Sequence, residues 1–175
     1  MPTQPITIVI ADDHAVVRQG LRLLLEAEEN LAVVGESSDI AQTAELLREC
    51  TPAVMLLDLH IGRELSLSAL FELRSASPAT RVVILTMDDD PAFVGPAWNA
   101  GAAGYVLKEA SRTDLVRAIR TVARGGRYLD PAIGGWALRR QSESAVQAHT
   151  AASHPEAAAG ECTGALPGIA DGAGH

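Results

Sequence analysis

Between residues 6 and 124 the chain alternates short apolar, β-branched runs with stretches of helical spacing, a rhythm that few folds accommodate. Ile6 to Ala11, Leu31 to Glu36, Ala53 to Leu57, Arg81 to Thr86 and Ala103 to Leu107 predict five strands. The intervening segments carry Val17, Leu21, Leu24 and Leu25, then Leu46 and Leu47, then Leu67, Leu70 and Leu73 at helical intervals. A fourth helix is predicted from Pro91 to Ala100, with Gly95 and Pro96 breaking or kinking it, and a fifth through Leu115, Ile119 and Val122. Alternation of this kind predicts an α/β fold in which a parallel sheet is wound with helices on both faces. Right-handed crossovers then put any ligand site outside the carboxyl ends of the strands.

A chain of 175 residues can bury one sizeable core and carry an extension, so the organisation predicted is a domain over 1–124, a connector and a tail. The connector, 125–140, reads GGRYLDPAIGGWALRR and predicts a turn at Gly125 and Gly126 and a short helix after Pro131. Trp136 within it suits local packing or an anchor to a partner. Residues 141–175 hold no Lys or Arg and are mostly Ala, Gly, Ser and Thr, the composition of a disordered, low-complexity tail. The opening MPTQPITIVIADD has no secretory pattern and no segment is apolar enough to span a bilayer, so a cytoplasmic protein without membrane contact is predicted. Cys50 and Cys162 stand too far apart to suggest a disulfide framework, and His149, His154, Cys162 and His175 match no zinc spacing.

Charge narrows the function classes. A net charge of -8 argues against a surface built throughout to hold nucleic acid. Arg112, Arg117, Arg120, Arg124 and Arg127 give the fifth helix a positive side, which suits a solvated face, an acidic partner or a symmetric dimer contact. Against thirteen arginines there is a single lysine, Lys108, immediately after the fifth predicted strand.

Lys108 is one of five residues that the predicted topology gathers at one sheet edge. Asp12 and Asp13 follow the first strand, Asp58 ends the third and Thr86 ends the fourth. Packed carboxylates repel unless a cation joins them, and a hard divalent ion with oxygen ligands, most simply Mg²⁺, resolves the conflict. Phosphoryl transfer needs those parts: a carboxylate nucleophile, a metal, and donors for the remaining oxygens. Asp58 fits the nucleophile, Asp12 or Asp13 the metal, and Thr86 and Lys108 the donors. The competing explanation is that Asp12 and Asp13 cap the first helix, Asp58 caps the third and Lys108 is a solvated charge.

The segments IVIADDHAVVRQGL, VMLLDL, VVILTMDDDPAFV, GAAGYVLKEA and DLVRAIRTVARGGRYLDPAI, in this order and spacing, resemble the receiver domains of two-component response regulators. The likeness is greatest to the branch that carries a LuxR-type helix-turn-helix, and it covers residues 6 to about 140. It implies a flavodoxin-like, doubly wound five-stranded parallel sheet of order 2-1-3-4-5. It further implies that Asp58 is phosphorylated by a sensor histidine kinase, that Asp12, Asp13 and Asp58 hold Mg²⁺, and that the main-chain carbonyl of His60 completes the protein ligands. Thr86 and Lys108 would bind the phosphoryl oxygens, and Tyr105 would be the aromatic that turns inward on activation, altering the face of the fourth and fifth helices.

The chain departs from the family in two places. After the phosphorylated aspartate it reads HIGRELS, with Gly62 where proline is usual, which predicts a looser loop. A helix-turn-helix would begin near residue 150, and the tail offers no basic, amphipathic helix there, so specific DNA binding is not expected of this chain. Read one nucleotide later, the codons of SHPEAAAG followed by Glu161 permit LTPRQRQV, similar to the start of that output domain. On that reading the tail is expected to be a frameshifted remnant of a DNA-binding regulator, an expectation that fails if the shifted frame of the gene continues into no helical, basic segment. A phosphatase using an aspartyl phosphate is disfavoured, since such enzymes place a second acid two residues after the nucleophile and this chain has His60.

Overall fold

The computed structural model describes residues 4–135; Trp136, the remainder of the connector and the 141–175 tail lie outside the described residues. In chain order the elements are β1 (Ile6–Ala11), α1 (Ala15–Glu26), β2 (Leu31–Ser37), α2 (Ile40–Cys50), β3 (Val54–Asp58), β4 (His60–Ile61) and β5 (Glu64–Leu65). There follow α3 (Leu70–Ala76), β6 (Arg81–Thr86), a 3-10 turn (Pro91–Phe93), α4 (Val94–Ala100), β7 (Gly104–Leu107), α5 (Arg112–Ala123) and β8 (Tyr128–Leu129). All five predicted strands form, each within one residue of its predicted ends.

The main sheet is parallel, in the order β2-β1-β3-β6-β7-β8. Its five long strands thus follow the expected 2-1-3-4-5 order, with β8 added at the outer edge. Every residue of β3, VMLLD, is buried because helices cover both sides. Side chains alternate between two cores: Ile8, Ile10, Leu56, Val83 and Val106 pack with Leu25 of α1 and Leu115 and Ile119 of α5. Ala11, Met55, Leu57, Ile84 and Tyr105 pack with Leu47 of α2, Leu70 and Leu73 of α3 and Ala97 of α4. At Gly104 a Cβ would come within 2.9 Å of Val83 and 3.2 Å of Val122, so its absence lets α5 settle on the sheet.

Three findings correct the expectations from sequence. HIGREL is a hairpin rather than a loose loop: β4 pairs antiparallel with β5, and Gly62 takes the turn at φ +68, a value that glycine adopts without strain. The predicted fourth helix divides at Val94, ahead of Gly95 and Pro96, and Pro96 sits in the first turn of α4 where a missing N–H is of little consequence. Between the predicted turn at Gly125 and Gly126 and the helix after Pro131, the connector contributes a strand, β8, that its composition does not predict. Its amides pair with β7, Tyr128 N–H donating to Ala103 O at 3.0 Å and Asp130 N–H to Tyr105 O at 2.9 Å, before a helix begins at Pro131.

Candidate functional site

β1, β3, β6 and β7 end side by side, and each delivers a polar residue to the same edge. Asp12 follows β1 and is 1% exposed, Asp58 closes β3 at 4%, and Thr86 closes β6 at 1%. Lys108 follows β7, its backbone N–H donating to Thr86 O at 2.7 Å, so the fourth and fifth long strands fix the lysine beside the threonine. Of these, Asp58 and Lys108 open onto a cleft of about 460 Å³, whose walls include Asp13, His14, His60, Met87, Asp88 and Asp89.

Lys108 Nζ lies 2.7 Å from Asp12 Oδ2 and 2.7 Å from Asp58 Oδ2. Burial acts to lower the pKa of its ammonium, but hydrogen bonds and charge from Asp12 and Asp58 outweigh that and hold it above the ordinary lysine value. Asp58 shows the opposing balance. Burial pushes its carboxyl up from the ordinary value, and Lys108 and the His60 N–H, which donates to Oδ1 at 3.2 Å, pull it back only in part. The Asp58 main-chain carbonyl accepts from Ser66 Oγ, which pins the end of β3 to the chain after the hairpin.

Neither Asp12 nor Asp13 is the N-cap of α1, and Asp58 does not cap α3. The N-cap of α1 is His14, with no side-chain cap, and that of α3 is Ala69. Asp12 Oδ1 instead accepts the His14 N–H at 2.8 Å, while Arg18 Nη1 donates to Asp12 O at 2.6 Å. Asp13 Oδ2 accepts the Gly62 N–H at 2.9 Å, tying the hairpin to the cluster. The capping explanation of these carboxylates therefore fails on geometry.

Ligand atoms of Asp12, Asp13, His14 and Asp58 all lie within 4.8 Å of one another. Three carboxylates against one ammonium leave a net negative charge, and oxygen donors at that spacing suit a hard divalent cation. A cation bound among them would also satisfy Asp13 Oδ1, a buried atom that receives no hydrogen bond. The donor set thus fits an ion such as Mg²⁺.

The remaining expected residues stand close by. Thr86 Oγ1 accepts the Asp88 N–H at 2.9 Å. The His60 ring projects outward and meets Phe93 edge to face, centroids 6.3 Å apart. Tyr105 is fully buried, and its hydroxyl has no well-formed hydrogen bond; burial, with the negative charge of Asp88, pushes its pKa up to about 12. Reasoning from sequence overlooked His14, Arg18 and Asp88. Only His14 carried a signal, its adjacency to Asp12 and Asp13.

Residues 8–120 match the family model of the response regulator receiver domain. The oxygen regulatory protein NreC of Staphylococcus carnosus is 38% identical over 125 residues, covering 71% of this chain and 58% of NreC. A LuxR-family two-component response regulator from Aurantimonas sp. SI85-9A1 superposes with TM-score 0.74 at 34% identity, over 79% of this chain and 99% of that one. RcsB, solved as two dimers bound to two parallel DNAs, has TM-score 0.68 at 26% identity over 75% of this chain and 67% of its own. The chain spans about half the length of the curated relatives it matches.

Proposed function

This chain belongs to the receiver-domain family of response regulators, and from that premise we propose that Asp58 accepts a phosphoryl group from the phosphohistidine of a sensor histidine kinase. The observation that carries the reading is the Lys108 ammonium, 2.7 Å from both Asp12 and Asp58 at the floor of an open cleft. A carboxylate oxygen of Asp58 forms a bond to phosphorus as the phosphorus–nitrogen bond breaks, and the kinase imidazole leaves with the electron pair. Lys108, now shared between two carboxylates, would turn to a phosphoryl oxygen, and the Thr86 hydroxyl would take another.

Asp12, Asp13, Asp58 and the main-chain carbonyl of His60 would hold Mg²⁺. When bound, that ion supplies neutralisation of the phosphoryl charge. Tyr105, buried on β7 ahead of Lys108, would register movement of Thr86 and alter the face formed by α4, β7 and α5. The chain acts as a phospho-accepting signalling domain in the cytoplasm rather than as an enzyme on a separate substrate, with residues 1–124 as its body and 125–140 as its connector.

The length of the relatives favours a second reading, in which this domain serves a DNA-binding transcriptional regulator of LuxR type and pairs as a homodimer, as RcsB does. No DNA-reading element is assigned to the described residues. Both readings meet the same first test, intact-protein mass after incubation with Mg²⁺ and acetyl phosphate. A single phosphate adduct in the wild type, absent from Asp58→Asn, is the expected result. No adduct, under conditions that label another receiver, would overturn the proposal.

A further inference from the structure

The oxygens of the acidic cluster divide into two sets. Asp12 Oδ2 and Asp58 Oδ2 face Lys108, whereas Asp12 Oδ1 and Asp13 Oδ1 face the imidazole of His14, whose Nδ1 stands 3.3 Å and 2.7 Å from them. The placement of that ring is built in. His14 is held by its own N–H, which donates to Asp12 Oδ1 at 2.8 Å in an extended conformation just before α1. The ring is 67% exposed, and its only polar partners among the described residues are those two carboxylates. An imidazole nitrogen therefore stands at hydrogen-bond distance from oxygens that already suit a divalent ion, within reach of the same ion, and Asp13 Oδ1 has no well-formed hydrogen bond.

Mg²⁺ gains little from an imidazole, because it is a hard ion that prefers oxygen and retains its waters. Ions later in the first transition series gain much, since imidazole suits Ni²⁺ and Zn²⁺ and their affinity for mixed nitrogen and oxygen sites exceeds that of earlier metals. We propose that His14 is a direct ligand in a mixed nitrogen–oxygen site, so that the phospho-acceptor cluster binds late transition-metal ions in a mode that Mg²⁺ does not use. The proposal rests on the reading of Asp12, Asp13 and Asp58 as a metal site. It makes ion identity an input to the domain, because a tightly held transition ion would occupy the oxygens that Mg²⁺ needs.

Calorimetric titration of the full chain with Ni²⁺ and, separately, with Mg²⁺ tests this without any phosphorylation assay. His149→Gln, His154→Gln and His175→Gln are introduced first, so that tail imidazoles do not contribute. In that background His14→Ala should weaken Ni²⁺ binding by at least about tenfold, the lower end of what losing even an indirect metal partner does. Mg²⁺ affinity should stay within about twofold. Unchanged Ni²⁺ affinity would overturn the proposal while leaving the metal site intact. Equal weakening of both ions would also overturn it, by making His14 a support for Asp13 rather than a ligand. Loss of the underlying reading looks different: neither ion binds, or Asp12→Asn and Asp13→Asn leave both affinities unmoved.

Discussion

At Asp58 two effects oppose each other, removal of a carboxylate from water and its contact with an ammonium already committed to Asp12. Burial is the larger, so the folded-state pKa lies above the unfolded one. Folding then favours the protonated acid, and the stability this contributes is present at low pH and lost as pH rises through the folded pKa. Once ionised, Asp58 is a liability of the fold. Asp58→Asn removes the charge and keeps the shape, and Lys108 retains Asp12 at 2.7 Å. The variant should therefore unfold about 1 kcal/mol less readily at pH 7, roughly 4 °C higher in Tm, in metal-free buffer. The difference should shrink as pH falls toward the point where the wild-type acid is itself protonated. Thermal melts across pH check this, and a lower Tm for the variant at pH 7 would mean that the Lys108 contact outweighs burial.

Secondary structure was legible where period and composition agreed, and illegible where tertiary pairing decided. β3 and β6 are continuous apolar runs, so VMLLD and RVVILT declare themselves. β8 is two residues, Tyr128 and Leu129, with no period to detect; it exists because β7 would otherwise present an unpaired edge. Arg127 adds a contact over the Trp98 ring of α4 at 5.4 Å, and Ile133 is 1% exposed in the core that holds Tyr105. Asp130 joins the two elements. Its Oδ2 accepts the Leu107 N–H at 3.1 Å and its Oδ1 the Ala132 N–H at 2.9 Å, so one buried carboxylate serves the end of β7 and the start of the helix after it. Asp130→Ala should lower stability by about 1–2 kcal/mol, the usual effect of losing a cap, and speed hydrogen exchange at Leu107 and Ala132. Unaltered exchange at both amides would show that β8 is held by its backbone pairing alone.

The charge distribution of the whole molecule is uneven in a way that net charge conceals. Asp12, Asp13, Asp58, Asp88 and Asp89 meet at one edge of the sheet around a single lysine. Arg112 and Arg120 of α5 are engaged elsewhere, both by Glu28 after α1. That convergence was legible because strand order alone brings the ends of β1, β3, β6 and β7 together, and each carries its polar residue at the terminal or next position. The second set of partners was not: Gly62 reaches Asp13 only through the turn of the hairpin, and His14 reaches both carboxylates only through the backbone bend before α1. Such an edge stores repulsion that a bound divalent ion would relieve in the folded chain and not in the unfolded one, where the carboxylates are far apart. Mg²⁺ at tenfold excess over its Kd should therefore raise the unfolding free energy by about 1.4 kcal/mol. The gain should be lost in Asp13→Asn and should not be reproduced by NaCl at equal ionic strength, since general screening acts on all exposed charges. Urea unfolding at matched ionic strength separates the cases. If NaCl stabilises as much as Mg²⁺, or Asp13→Asn responds like the wild type, the relief comes from the overall charge of -8 rather than from an ion held at this edge.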